Sequence, residues 1–517
     1  MIIMKRLIVF IGILVCHRLT AQLPEDALRV SWTTPSGTAR EQAIGGAMGS
    51  LGGEISSNFV NPAGLGFYRT REIVLSPGWQ LLQNKASYLN TNNSGYTASH
   101  FNLGVSGFVT GHTGYNGNNS VFSIAVNRTA NFNQHISYEG LNSYSSGAEQ
   151  YAEEFAYGSE PNIDKAIGTP GLYSYGTREA LYTYLIDTAT VNGQLQVIAQ
   201  PQKAGLLKQQ NDLRTRGGIT EIALNLATGI AGKWFIGGGI GIPILSYTRE
   251  QTYREVDASG NTNNDFQSYT YTEKYTSKGF GLNAKLGLIF APTNAVRLGL
   301  AIHTPSVIGV SDKIHSSMNT NLEAYSVPQQ VTSDQLDATY GPANTVNYNL
   351  YTPWRFIASG SYLFGGGEQD IKSQKGFITA DVEYVTTKSS HFKPANTDGS
   401  DGSDSYYNAV NSSIKSIYKN YLGLRLGSEM KFDTWFARLG AAYYTNPYQD
   451  SKELKADKLF LTTGGGWRDA GMFVDLAFVA CISRDVNFPY LLSDKNNVVS
   501  SLKQLSGTLL LTVGFKF

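Results

Sequence analysis

The sequence predicts an antiparallel β-barrel of 14 strands that crosses a membrane, with an N-terminal segment folded into its bore. Three observations predict it. After residue 70 the apolar residues recur with period two, not 3.6, which is the pattern of strands. The connections between the strands sort by parity, short after even strands and long after odd ones. The chain also ends on a strand whose alternate residues, Leu509, Leu511, Val513, Phe515 and Phe517, are all apolar.

Composition sets the background. The 517 residues carry 41 Lys and Arg against 40 Asp and Glu, a balance that gives no electrostatic case for a nucleic-acid partner. Charged residues are 16%, below the roughly 25% of soluble domains. Aromatics at 12% exclude a disordered chain. Two cysteines, Cys16 and Cys481, supply neither a disulfide framework nor a thiolate zinc site.

Residues 1–21 read as a secretory signal: Lys5 and Arg6, the apolar run Leu7 to Val15, then Thr20-Ala21. The run is too short to span a bilayer, and no later stretch reaches the ~18 apolar residues of a transmembrane helix. An exported chain held in a membrane therefore has to be held by strands.

Residues 22–70 do not alternate. They are rich in small residues, in Gly45-Gly46-Ala47-Met48-Gly49 and again in Asn61-Pro62-Ala63-Gly64-Leu65-Gly66. Clustered Gly permits positive φ and close backbone approach, and Asn-Pro favours a turn. A 14-stranded barrel has a lumen wide enough to need filling. The economical reading is a plug, shaped and moved by Gly45, Gly46, Gly49, Asn61, Pro62 and Ala63.

Residues 71–517 hold the strands. Leu282, Ala284, Leu286, Leu288 and Phe290 alternate with Asn283, Lys285 and Gly287; Ile378, Ala380, Val382 and Tyr384 alternate with Thr379, Asp381 and Glu383. A face of Gly, Asn, Asp, Glu, Arg and Lys suits a wet lumen, and the apolar face then touches lipid. In hydrocarbon every backbone group must be paired, which closed barrels achieve. Connections after the even strands are mostly short, at 230–233, 292–293, 432–433 and 468–469, with 111–118 and 365–375 longer. The longest, at 133–216, 309–352 and 386–418, are read as extracellular loops. The aromatic C-terminus resembles the signal that barrel-assembly machinery reads on outer-membrane proteins, which makes that machinery a partner during biogenesis and outer-membrane lipid a partner afterwards.

Within 133–216 two stretches look helical, placing Tyr151 with Phe155 and Leu181 with Leu185 on common faces. They either form an apolar groove that captures a ligand or pack on each other as a lid. Tyr325, Tyr340, Tyr348, Tyr351, Tyr406 and Tyr407 in the other long loops suit hydrophobic ligands or a protein partner. Inward charges are expected at Arg297, Arg425, Arg438, Asp381 and Glu383, either paired across the lumen or free to meet a carboxylate.

Other constellations carry little. The run from Asp398 to Asp404 lacks the spacing and terminal Glu of a calcium loop. Gly279-Phe280-Gly281 matches a dinucleotide fingerprint only loosely and lies inside an alternating strand. The seven His show no metal spacing, and no hydrolase or phosphate-loop pattern occurs. No catalytic residue, metal or cofactor is expected, and the chain reads as a non-enzyme.

The glycine cluster at Gly45-Gly46-Ala47, the run Asn61-Pro62-Ala63-Gly64-Leu65-Gly66, the strand count and the aromatic C-terminus resemble the FadL-like outer-membrane transporters of hydrophobic compounds. The resemblance implies a plug inside a 14-stranded barrel. It also implies passive transport of long-chain fatty acids or aromatic hydrocarbons, with sideways release at a kink in the third strand. Val121 to Arg128 in that strand hold no Gly or Pro, so a kink there requires a β-bulge. A second function class stays open: some FadL-like barrels do not transport, and serve as docking or shuttle subunits of secretion or assembly complexes.

Overall fold

The computed structural model describes residues 24–517 except 33–35, 116, 192–193, 366–373, 396–402 and 451–453. The signal segment 1–21 and most of the Asp398–Asp404 run lie outside the described residues.

Fourteen antiparallel strands close into a barrel. In order they are Arg71–Leu75 with Pro77–Tyr88, Thr91–Leu103 with Ser106–Thr113, Asn119–Asn131 with Gln134–Asn142, Leu207–Ile230, Trp234–Asp257, Ser268–Phe290 and Val296–His303 with Val307–Asn321. The second seven are Thr345–Tyr351 with Arg355–Phe364, Gly376–Val385 with His391–Pro394, Tyr421–Phe432, Trp435–Tyr444, Lys458–Asp469, Met472–Asn487 and Ser500–Lys516. The first strand closes on the fourteenth, with Ile73 opposite Phe515 and Gly78 opposite Leu510.

The burial pattern inverts that of a soluble sandwich. Ile236, Ile240, Leu282, Leu286, Leu424, Leu426, Leu476 and Leu509 are exposed, while Asp381, Glu383, Glu429, Arg438 and Asp475 are buried. Apolar residues therefore point out and charges point in, as the alternation requires of a membrane barrel. Trp234 stacked on Phe290 marks the short-turn rim, and Trp354 stacked near Phe356 marks the opposite one. Such aromatic girdles sit at the two membrane interfaces.

The strands run further than the hydrophobic pattern suggests. The expected loop 133–216 shrinks to 143–206, 309–352 to 322–344, and 386–418 to 395–420 with a short strand, His391–Pro394, at its start. Residues 86–97 are strand apart from a two-residue turn, Leu89–Asn90, with φ of 47° and 62°. That pair of positive φ values suits the twist of a tight hairpin. The physical reason for these differences is that the upper wall is polar on both sides. Inward-facing Gln209, Asn211 and Tyr253 leave no apolar alternation to detect.

At the long-loop end a cap forms from helices Ala148–Tyr157, Ile163–Gly168, Tyr175–Tyr182 and Ser333–Tyr340 and the hairpin Ile186–Val191 with Gln194–Ala199. Thr332 and Gln335 form a reciprocal capping box that starts the last of these helices. Helix Ser403–Ile417 packs instead against an N-terminal helix, Pro24–Ser31, and the two share an apolar cluster with Leu245, Val310, Tyr348 and Phe392 of the barrel's inner face.

Candidate functional site

The inner segment after the N-terminal helix is held by backbone and short polar side chains, not by a large core of its own. Thr38 caps helix Ala39–Ala43, and Asn61 caps the 3-10 turn Pro62–Phe67. Gly45 lies at φ +68°, its N–H donates to Thr462 Oγ1 at 3.0 Å, and a Cβ there would come within 2.7 Å of the Ala441 carbonyl oxygen. Gly46 also has positive φ, at 76°. Gly49 N–H donates to Asp381 Oδ2 at 3.1 Å. Asn61 Nδ2 donates to the Gly49 carbonyl at 2.6 Å and to the wall carbonyls of Leu288 and Leu300 at 3.3 Å, while its Oδ1 accepts Ala63 N–H at 3.1 Å. Pro62 rests where Gly237 of the fifth strand leaves no Cβ. We expect Gly45→Val to cost about 2–4 kcal/mol from forced backbone strain and overlap with Ala441. Amide exchange across 39–67 should rise while the heat-modifiable gel mobility of the folded barrel stays.

Charges anchor the same segment. Arg40 makes a two-point bond to Glu429, at 2.9 Å from both Nε and Nη2. Glu429 also accepts from Arg438 Nε at 2.6 Å; Arg438 Nη1 donates to Asp475 at 2.6 Å, and Arg468 lies 3.5 Å from Asp475. A second chain links Arg355, Glu383, Arg425 and Asp381, with Arg425 3.4 Å from Glu383 and 3.6 Å from Asp381. Arg425, Arg438, Asp381 and Glu383 are thus paired inside the lumen. Arg297 donates instead to the Leu51 carbonyl and lies 4.4 Å over the Phe67 ring. Burial and the neighbouring Glu54 push the Glu41 carboxyl of the inner helix well above the usual range.

The wall itself has a seam. The second strand breaks at Gly104–Val105, and only its lower half ladders with the third, from Ser106 opposite Val126 to Thr113 opposite Asn119. Above that point Thr91–Leu103 ladders only with the first strand, and Gln134–Asn142 only with the fourth. The third strand carries a bulge: Arg128 faces Thr220 and Ala130 faces Ile219, leaving Thr129 as the extra residue. Side chains bridge the seam in place of a ladder: Asn131 Nδ2 donates to Gln80 Oε1 at 2.7 Å, Asn84 Nδ2 to the His135 carbonyl at 2.9 Å and Asn93 Nδ2 to the Glu139 carbonyl at 3.3 Å. Tyr96 stacks on His135, and Ala86 and Tyr88 pack with Ile136 and Tyr138 on the inner side. The inner segment reaches its lower end, where Val105 N–H donates to the Gly37 carbonyl at 3.2 Å and Asn127 Nδ2 to Ser36 at 3.0 Å.

Between the N-terminal helix, Phe59 and the wall lies a cavity of about 70 Å³. It is lined by Glu221, Asn283, Lys285, His303 and Arg355 beside Ile219 and Ile308. Lys285 pairs with Glu221, and His303 Nε2 lies 2.9 Å from the Val60 carbonyl. The cavity is of mixed polarity and smaller than the roughly 150 Å³ that admits a benzene ring.

No family model and no curated protein matches the chain. Solved structures do. A FadL homologue from Pseudomonas aeruginosa superimposes with a TM-score of 0.55 over 94% of this chain and 100% of its own, at 13% identity. The toluene transporter TodX from P. putida superimposes with a TM-score of 0.52 over 94% of this chain and 99% of its own, at 10% identity. The fold is FadL-like. At these identities the likeness is one of fold: a 14-stranded barrel of the bacterial outer-membrane type.

In this FadL-like barrel the residues predicted to capture ligand lie elsewhere than along a groove. Tyr151, Phe155, Leu181 and Leu185 are all buried in the cap core with Tyr253, Tyr269, Met318 and Leu336. They pack as a lid, because the upper barrel wall presents its own tyrosines to them. Leu185 also lies beyond the helix end at Tyr182. The same core buries Glu179 of the cap helix, which accepts from Ser316 Oγ at 2.7 Å. Desolvation pushes its carboxyl up to about 8. A raised folded-state pKa means the cap is most stable below the ordinary carboxylate range and loses that stability as pH climbs to about 8. The upper bound is roughly 4–5 kcal/mol. Amide exchange of residues 175–182, corrected for intrinsic rates, should therefore quicken between pH 5 and 8, and Glu179→Gln should flatten the rise.

Proposed function

We propose that this barrel passively carries hydrophobic or amphipathic small molecules, of long-chain fatty acid or monoaromatic type, across the outer membrane. The observation that carries the reading is the seam between the second and third strands. An unladdered wall in hydrocarbon costs backbone hydrogen bonds and is retained only where it has a use. The inner segment acts as the plug, so a straight aqueous path is obstructed, and a hydrophobic solute leaves sideways into lipid. The ligand enters when the cap opens, passes the N-terminal helix, and is released at the seam as Gly37 of the plug moves off Val105 of the wall. Gly45, Gly46, Gly49, Asn61, Pro62 and Ala63 shape that plug and do no chemistry. The likeness in fold to a toluene transporter and a FadL homologue supports the same reading. No covalent step or energy source is needed.

Native mass spectrometry on gently solubilised protein tests this. A discrete acyl or aromatic mass on a monomer is the expected result. An empty barrel carrying a stoichiometric protein would overturn transport in favour of a docking subunit.

A further inference from the structure

Outside the bore, on the lipid-facing side, three neighbouring strands end their apolar runs at one height. Leu505 and Ile482 are exposed and face each other across the fourteenth and thirteenth strands, next to Gln83 of the first. One step nearer the cap, Lys503 stands opposite both Lys85 and Arg484. All three cations are exposed. Adjacent strands lie about 4.8 Å apart, so three positive charges fall within about 10 Å. Among the described residues none of the three makes an ion pair. Asp457, next along the row, bonds Arg484 only through its backbone, and Asp485, half-buried, alternates to the inner face. Several other outward charges beyond the apolar band are paired, Lys274 with Glu250 at 3.4 Å, Lys208 with Glu139 at 3.1 Å and Arg214 with Asp212 at 3.3 Å, while Arg216, Arg254, Lys278 and Lys313 stand singly, with no like charge directly opposite.

Like charges directly opposite on neighbouring strands destabilise a sheet. A row of three without a carboxylate calls for an external anion carrying more than one charge. Its place restricts which anion. The row sits at headgroup depth, directly above an apolar strip of Leu505, Ile482, Phe478 and Leu509. Above it, Ser87 and Ser501 face each other and add hydroxyl donors. We infer that Lys85, Lys503 and Arg484 form a binding site for the phosphate of an outer-leaflet lipid, whose acyl chains lie along the apolar strip beneath. The site is independent of what passes through the barrel.

The test is lipid retention in nanodiscs of phosphatidylethanolamine doped with diphosphoryl lipid A, read by native mass spectrometry after delipidation. Wild type should keep one phosphorylated lipid. The variant Lys85→Ala/Arg484→Ala/Lys503→Ala should lose it by roughly a hundredfold, at about one tenfold step or less per charge removed. Lys274→Ala, which removes a paired surface cation, should retain it. Dephosphorylated lipid A should not be kept by any form. Equal retention by the triple variant overturns the site. Displacement by millimolar inorganic phosphate alone overturns the assignment to a lipid. All substituted side chains are exposed, so folding is preserved, and gel mobility of unheated protein checks it.

Discussion

Deletion of Thr129 will cut uptake of oleate and toluene probes by at least tenfold and leave the barrel folded. Thr129 is the extra residue between two regular pairs, Arg128 opposite Thr220 and Ala130 opposite Ile219. Removing it makes those pairs consecutive, and every flanking residue keeps its own face. Without the bulge the third strand loses the bend that carries its upper half away from the second. The free edge of Thr91–Leu103 can then gain ladder bonds, each worth about 0.5–1.5 kcal/mol net and more in hydrocarbon. Stability should rise as transport falls, a pairing that a merely damaging deletion would not give. Thr129→Ala keeps the bulge and should transport normally. Undiminished uptake in the deletion would remove the seam from the mechanism.

Glu429→Gln will free the inner segment and make the barrel leak ions. Glu429 is the shared acceptor between Arg40 of the inner helix and Arg438 of the wall. Removing its charge leaves two buried guanidinium groups competing for one neutral acceptor, and breaking a buried pair in this way costs about 3–5 kcal/mol. Helix Ala39–Ala43 has no other ion-pair anchor among the described residues. Conductance in planar bilayers should rise, and amide protection across residues 39–43 should fall. Arg40→Gln removes the same anchor and should also raise conductance, but it leaves Glu429 paired with Arg438 and Arg438 with Asp475, so its cost in stability should be smaller. Closed, non-conducting Glu429→Gln barrels would show that other contacts hold the segment.

How much of this was legible beforehand follows from the range of the interaction concerned. Alternation reports a strand with two different environments, because side chains on a strand point to opposite faces with period two. All 14 strands and the inward placing of Asp381, Glu383, Arg425 and Arg438 could be read that way, and so could the sorting of the connections except the first, where the expected long loop 86–97 is a two-residue turn. Above the membrane both faces are wet, and there the pattern faded, so the upper strands of 207–216 and 345–351 looked like loop. Tyr151 and Phe155 show the same limit. Their spacing marks an apolar helix face, but whether that face meets a ligand or a neighbouring wall depends on residues such as Tyr269 and Met318, far along the chain.

The fold class, its orientation toward lipid and the small-residue character of the inner segment are written locally, in residue type and period. The seam, the anchoring pair of Arg40 with Glu429 and the seating of Asn61 and Pro62 against wall glycines are not. A bulge is one extra residue of backbone with no signature side chain, and Thr129 is unremarkable in its own neighbourhood. An ion pair between residues 389 positions apart, or a close approach of Pro62 to Gly237, exists only once the barrel has closed and brought them together.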